Sequence, residues 1–435
     1  MLFRSSLALS PWARVNQEWF AARRRWAAAA AESVLDDVAA QGRFGLRWAR
    51  NSFVNLATGA APLAAAAGVA FPAASGAGPL RAVEKAASRT GPDSRTPSQK
   101  RPNRDVPALV TAAGPSLPKG LEGVVHLDGH IYATDTSLPS LAHFGIHPQA
   151  VFSIDCQQIS YHHFFRKVDR ESLSFFEAAS PPSLLRRADR SKLFLGEHPF
   201  HAYLSRRLPG LLKIDTKGGN VTFAVVDYLR QLGYRQIEIL GADYAYPRLE
   251  GYTNPSFLQH HFQRLATRLE PLEGSLTSFA LDRLPEGERT THVLQGYKRN
   301  LQAYVDRHGG SVEEPDPGHL SLRFGSGGQK RLSPSATGDS AGAPTEHRGV
   351  QQDEVDAVVS GYVSGLEKID IEEVVGSHYA GQVVAQDEQE LLYTLIPLAQ
   401  AISVAFPEAS AGELIFRARE WTLRLLSTLY PTAAG

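Results

Sequence analysis

The sequence predicts an α/β protein: an open, mostly parallel, Rossmann-like sheet with an N-terminal helical arm before it and a C-terminal helical bundle after it. Three observations lead there. Residues 106–117 read V-P-A-L-V-T-A-A-G-P-S-L, an apolar run that shrinks to small side chains and breaks at Gly114-Pro115-Ser116. Strand-like runs at 130–134, 150–154 and 236–242 each end in an aspartate: Asp135, Asp155 and Asp243. Helical patterns precede or follow each run, and strands alternating with helices build parallel sheets covered on both faces.

The turn after the first run is where backbone N–H groups can approach a ligand, commonly a phosphate. Gly114 supplies backbone freedom, Pro115 fixes its own φ, and Ser116 adds a hydroxyl. An ordinary strand-to-loop turn would read the same way. In open α/β sheets, however, ligands bind outside the carboxyl ends of the strands, near a switch in strand order. The turn and all three aspartates are expected on that edge. One aspartate after a strand is ordinarily a cap or turn former, whereas three beside a glycine turn favour a nucleotide site.

Residues 221–232 place Val221, Ala224, Val225, Tyr228 and Leu232 on one helical face. Asn220 is the expected N-cap, and Gly233 the expected stop. Gly218 and Gly219 are expected to leave backbone amides open to an anion. No G-x-x-x-x-G-K-[ST] occurs, nor a G-x-G-x-x-G after a strand, so neither phosphate-loop nor dinucleotide-fingerprint chemistry is indicated.

After Asp243 come Tyr244, Tyr246, Gly251, Tyr252, Thr253, Asn254 and His260-His261. This stretch leaves a strand's carboxyl end and is expected to overhang the ligand edge as an acceptor loop. Its rings and hydroxyls suit a sugar or pterin. His260 or His261 could act as general base, or one could be a surface residue and the other pack on a helix. His162-His163 form a second pair. Neighbours on a helix point about 100° apart, so neither pair makes a bidentate metal site. Arg264, with Arg268 one helical turn beyond, could hold a phosphate or a sugar carboxylate, or make surface ion pairs.

Composition narrows the classes. The 435 residues allow more than one domain, and 45 basic against 45 acidic residues leave no net field to attract nucleic acid or an anionic membrane. Cys156 is the only cysteine, which excludes an intrachain disulfide and a cysteine zinc site; it reads as a small apolar filler at a strand end. Arg4 is followed only by Leu7-Ala8-Leu9 before Pro11, which does not make a signal peptide. Residues 57–77 are apolar but rich in Ala and Gly and broken by Pro62 and Pro72, so they read as a loose helix or linker rather than a transmembrane span, with a peripheral hairpin at the inner membrane as the lesser alternative; the single cysteine fits a reducing cytoplasm.

The organisation that follows is an N-terminal helical arm at 1–82, a linker at 83–104, a nucleotide-binding catalytic domain at 105–324, a Gly/Ser/Pro-rich linker at 325–350 and a helical domain at 351–435. In the arm, residues 12–39 read as helix, continued at 48–53. In the tail, residues 351–369, 388–406 and 412–429 have helical periodicity and could serve homo-oligomer or partner contacts.

Taken together, A-A-G-P-S-L, Asp135-Thr136, Gly145-Ile146-His147-Pro148 leading to Ser153-Ile154-Asp155, Gly218-Gly219-Asn220 and Gly241-Ala242-Asp243 resemble one family in order and spacing. It is the 6-hydroxymethylpterin diphosphokinase MptE-like family, which includes motility-associated-factor glycosyltransferases that modify flagellin. The resemblance covers about residues 105–281, with 51–55 as a further flank. The layout is also similar to metal-independent bacterial sialyltransferases, which carry a G-P-S-L turn and a late glycine-x-Asp-aromatic motif.

These resemblances imply a glycosyltransferase moving a nonulosonic, sialic-acid-like sugar from a CMP donor to Ser or Thr of a protein such as flagellin. Gly114, Pro115, Ser116, Asp135 and Asp155 would then bind the nucleotide, with Gly218, Gly219 and Asn220 lining the cleft. Asp135 stands where the sialyltransferases have an Asn. Asp243, His260 and His261 would be the catalytic group, with Tyr244, Tyr252 and Arg264 on the acceptor and sugar side. No cofactor is required in that reading. The alternative enzyme is a diphosphokinase using ATP and Mg²⁺, with Asp135, Asp155 and Asp243 as metal ligands. A non-catalytic nucleotide-binding scaffold is the third.

Overall fold

A computed structural model of the chain describes residues 15–59, 106–124, 130–164, 172–188, 190–325 and 350–431. Both expected linkers, residues 83–104 and all but the ends of 325–350, lie outside the described residues, as does most of 57–77. The sheet has eight strands: β1 Ala108–Thr111, β2 His130–Thr134, β3 Ala150–Ser153, β4 Leu173–Glu177, β5 Ser191–Phe194, β6 Gln236–Leu240, β7 Gly310–Asp316 and β8 His319–Phe324. Their order is β5-β4-β3-β2-β1-β6-β8-β7. The first six are parallel, and β8 and β7 add an antiparallel hairpin to the edge. The α/β class and the parallel core agree with the sequence expectation. Strands β4, β5, β7 and β8 were not read from the sequence.

Alternation along the parallel strands builds two cores. Ala108, Val110, Tyr132, Ala150, Phe152, Phe175 and Phe194 face one side, under helix α6 (Val221–Leu232) and helix α9 (His292–Arg307). Leu109, Ala133, Val151, Phe176 and Leu193 face the other, under α2 (Leu117–Val124), α3 (Leu138–His143) and α4 (Pro182–Leu185). Strands buried on both faces are apolar at successive positions, which is why these runs lack polar alternation. The chain leaves β1 toward β2 on one side, while β6 returns on the other, so strand order switches at β1.

The remaining helices are α1 Gln17–Thr58, α5 Pro199–Arg207, α7 Phe257–Leu265, α8 Leu272–Leu281, α10 Gln352–Lys368, α11 Ile371–Tyr379, α12 Gln386–Ser403 and α13 Ala411–Leu429. The arm expected as two helical stretches is one continuous helix, α1. The tail helices fall near their expected places, with α11 additional. The chain forms two compact units, 1–46 with 365–425, and 47–364 with 426–435. In the first, Gly45 is where an added Cβ would lie 1.9 Å from the Pro397 carbonyl oxygen, so α1 and α12 pack backbone to backbone. In the second, the end of α1 is tied to the sheet. Asn51 Nδ2 donates to the carbonyls of Cys156 (3.1 Å) and Ala179 (2.9 Å), and Asn55 Nδ2 to those of Ala178 (2.9 Å) and Ser180 (2.7 Å). These bonds hold the carboxyl ends of β3 and β4.

Candidate functional site at the carboxyl edge of the sheet

The Gly-Pro-Ser turn follows β1 at the strand-order switch, as expected, but its glycine has an intramolecular reason. An added Cβ at Gly114 would lie 2.0 Å from Asp243 Oδ2 and 2.5 Å from the Gly241 carbonyl oxygen. The Gly114 N–H donates to that carbonyl (2.8 Å), Pro115 has no N–H, and the Ser116 N–H (3.2 Å) and Oγ (2.8 Å) both donate to Asp243 Oδ2. The turn's amides are therefore engaged by the β6 end rather than open to a phosphate. The expectation of free amides at this turn is corrected accordingly, because the small residues here allow two backbones to meet. The β7–β8 hairpin joins the same junction, with the Gly318 carbonyl accepting from the Ala242 N–H (2.9 Å).

Asp135, Asp155 and Asp243 all stand at strand ends on one edge, and each carboxyl is pushed above the usual carboxylate range by burial. Asp135 reaches about 6, its Oδ2 accepting from Ser153 Oγ (2.6 Å) and its Oδ1 from the Thr136 N–H (2.8 Å). Asp155 Oδ1 accepts from the Gln157 N–H (2.8 Å), and the charge of Asp135 adds to its upward shift. Asp243 is shifted in the same direction, with the Ser116 bonds opposing.

As a joint metal set the three do not fit. Asp155 and Asp243 are three strand steps apart, about 14 Å at ~4.8 Å per step. Among the described residues no group of three or more His, Cys, Asp or Glu could hold a metal ion. The three aspartates expected as joint Mg²⁺ ligands of the diphosphokinase alternative are therefore not brought together as one set, and no step is derived through a metal.

Asn220 caps α6 as expected, its Oδ1 accepting from the Phe223 N–H (2.9 Å), and Gly233 ends the helix with φ 92°. Gly219 has φ +78°, and the Tyr297 ring lies where its Cβ would be, 2.7 Å away. The Gly219 N–H donates to Thr216 O (3.1 Å), so this amide is not open to an anion, contrary to the expectation. The orphan is elsewhere: Asn220 Nδ2 is buried with no hydrogen-bond partner. A buried amide donor without a partner costs about 1–3 kcal/mol, which a ligand acceptor would recover.

The loop after β6 overhangs the edge as anticipated. The Thr253 N–H donates to Ala113 O (2.8 Å), Thr253 Oγ1 lies 2.9 Å from Ser140 Oγ, and Ser140 Oγ donates to Pro255 O (2.7 Å). Tyr244 takes φ 48°, packs against the core, and leaves its hydroxyl buried without a partner. Tyr252 is exposed, with its ring 6.4 Å from Phe279.

His260 and His261 lie on α7, the first half-buried and the second exposed, with the His261 ring 5.9 Å from Phe257. Phe257 also stacks on His162 (4.8 Å) and meets His163 edge-on (5.6 Å). Arg264 is exposed at the end of α7. Arg268 is not one helical turn beyond it, because the helix ends at Leu265 and Ala266 is extended. Cys156 is buried and its thiol is pushed up to about 12 by burial, in keeping with a filler.

Two further residues belong to this edge. Glu177 ends β4 beside Asp155, and L-S-F-F-E repeats the strand-then-acid signal of the other three. Tyr297 comes from α9, feels the charge of Asp155, and carries no local sequence signal because only packing brings it there.

Residues 87–248 match the family described as 6-hydroxymethylpterin diphosphokinase MptE-like. Over 114 residues the chain is 29% identical to an uncharacterized protein of Treponema pallidum (strain Nichols), covering 24% of this chain and 40% of the relative. A second uncharacterized protein of that organism is 41% identical over 68 residues, 15% of this chain and 32% of the relative. The chain thus spans less than half the length of either relative. A solved structure titled "Structure of MAf glycosyltransferase from Magnetospirillum magneticum AMB-1" aligns at a TM-score of 0.37 and 11% identity, over 88% of this chain and 54% of that one. No described helix is long and apolar enough to cross a membrane.

Proposed function

We propose that this chain, with its MptE-like segment at residues 87–248, is a glycosyltransferase that moves a nonulosonic sugar from a CMP donor to Ser or Thr of a protein such as flagellin. The observation that supports it most is the coincidence of the strand-order switch with an overhanging loop. Outside the carboxyl ends of β1, β2 and β3 lies the crevice position of open α/β sheets, and the loop at residues 242–256 crosses it, its Thr253 N–H donating to Ala113 O just beyond β1.

In this reading the donor lies along the edge. The buried Asn220 Nδ2 and the amino end of α6 face the leaving phosphate, since the amides of the Gly114 turn are engaged. The acceptor hydroxyl approaches from the Tyr252 side. The name of the matching family favours a second reading, diphosphate transfer to a hydroxymethylpterin, to which the separation of the three aspartates is unfavourable.

Thermal-shift measurements with CMP, CDP, UDP, GDP and ATP, each with and without Mg²⁺, separate the two. Melting temperature rises with occupancy of the folded state. Stabilisation by CMP without metal is the expected result. Stabilisation by ATP only with Mg²⁺ would replace the proposal with the kinase, and no response to any nucleotide would overturn both.

A further inference from the structure

The chain as a whole has no net charge, but its charge is not evenly spread. Residues 1–31 hold five arginines, Arg4, Arg14, Arg23, Arg24 and Arg25, against one acid, Glu18. The same stretch holds three of the five tryptophans, Trp12, Trp19 and Trp26, spaced seven residues apart. Seven residues are nearly two turns, so on a helix such a spacing repeats one face.

The start of α1 shows that face in solvent. Val15, Trp19 and Ala22 fall at i, i+4 and i+7, and Val15 is 83% exposed, Trp19 50%, with Ala22 exposed as well. Arg23 borders this stripe with its guanidinium 5.2 Å from the centre of the Trp19 ring, and Gln17, Glu18 and Arg24 are exposed around it. Farther along, α1 meets its own helical unit through Gly42, where an added Cβ would touch Val404 (3.7 Å), and through Gly45 against Pro397. At about 100° per residue, those two positions lie roughly 80–140° around the axis from Trp19. The face that packs is therefore not the face that carries the tryptophan. Single exposed apolar side chains need no explanation, whereas an exposed stripe rimmed by arginine marks a contact surface.

We infer that the first turns of α1, residues 15–24, lie on an anionic lipid surface, with Val15, Trp19 and Ala22 toward the acyl boundary and Arg23 and Arg24 against headgroup phosphates. Tryptophan suits that depth because its ring is apolar and its N–H meets polar headgroups. Arginine stems run along the apolar stripe and carry their charge out to the phosphates. Such a helix lies in the plane of the interface and needs no span, in keeping with the absence of a membrane-crossing helix among the described residues. Charge decides between occupants: a second copy would bring its own Arg23 and Arg24 to the contact, whereas anionic headgroups complement them. This attachment is independent of the reaction catalysed.

Co-sedimentation of the full chain with lipid vesicles tests it. The expected results are binding to an equal mixture of phosphatidylcholine and phosphatidylglycerol, release by added salt, and weak binding to phosphatidylcholine alone. Arg23→Gln combined with Arg24→Gln removes two charges and should lower the partition coefficient about 20-fold. Trp19→Ala should lower it at least ~tenfold through lost apolar contact. All three positions are exposed and receive good helix formers, so an unchanged melting temperature is the control for folding. Equal binding to both vesicle types, no binding to either, or binding to the mixture that neither variant weakens would overturn the inference.

Fluorescence locates the contact. Brominated phosphatidylglycerol quenches tryptophans seated in the interface, so it should dim the wild-type chain and dim Trp19→Ala by a smaller fraction. Equal fractional quenching in the two proteins would place the lipid contact on another part of the chain and overturn the assignment to α1. Sedimentation equilibrium without lipid supplies the remaining arm. A dimer that Trp19→Ala dissolves would give the stripe to a second copy and would also overturn it.

Discussion

Replacing Gly114 with alanine should destabilise the sheet itself, because the space beyond its Cα belongs to β6. The new Cβ would lie 2.0 Å from Asp243 Oδ2 and 2.5 Å from the Gly241 carbonyl oxygen. That carbonyl accepts the Gly114 N–H at 2.8 Å, so it cannot retreat without opening the bond that continues the β1–β6 ladder. The Asp243 carboxylate can rotate away only by giving up the Ser116 N–H and Oγ. Overpacking costs roughly 1–3 kcal/mol, and hydrogen bonds to a charged group contribute ~1.5–3 kcal/mol. Asp243 is only half-buried, which favours the lower part of the sum, so about 3 kcal/mol is expected. Urea denaturation should show it as a lower midpoint at unchanged slope. In an Asp243→Ala background one of the two clashes is absent, and the cost of Gly114→Ala should fall by at least ~1 kcal/mol. A loss below ~0.5 kcal/mol in the single variant would refute the reasoning and return the glycine to a ligand-contact role.

Three other outcomes follow from the same geometry. Asn55→Ala should cost ~1–3 kcal/mol, since it leaves two buried carbonyls, those of Ala178 and Ser180, without their donor; denaturation of the variant measures it. The Asp135 carboxyl is raised on folding to about 6, so its contribution to stability is lost as pH climbs from about 4 to about 6, and melting curves of Asp135→Asn should lack that decline. His260→Ala and His261→Ala should differ in turnover by ~100-fold or more if one is the general base, because neighbours on α7 face different ways; equal, near-normal rates in both would remove the histidines from the mechanism.

Local patterns made much of this protein legible before its structure. Strand-like runs closed by Asp135, Asp155 and Asp243 carry their own boundaries, since an apolar run and the residue that breaks it are neighbours in the chain. The same holds for the α6 helix, where the Asn220 cap and the Gly233 stop are local hydrogen-bond chemistry and appear as expected. Less was legible at β4 and β5, whose short runs lie among turns, and at the β7–β8 hairpin, whose E-E-P-D-P-G stretch obscures strand character.

By itself the sequence determined the α/β class, the carboxyl-edge aspartates, the helix caps and the tail helices, because each depends on residues within a turn or two of one another. Only the tertiary structure decided what those residues face. The Gly114 turn closes on Asp243, 129 residues away in chain order (243 − 114), rather than opening to an anion. Tyr297 reaches Gly219 from another helix, and Asn55 reaches the carboxyl end of β4 from α1. Hydrogen-bond capacity is a property of a residue, but whether it is already spent is settled by groups distant in sequence that folding brings within 3 Å or so.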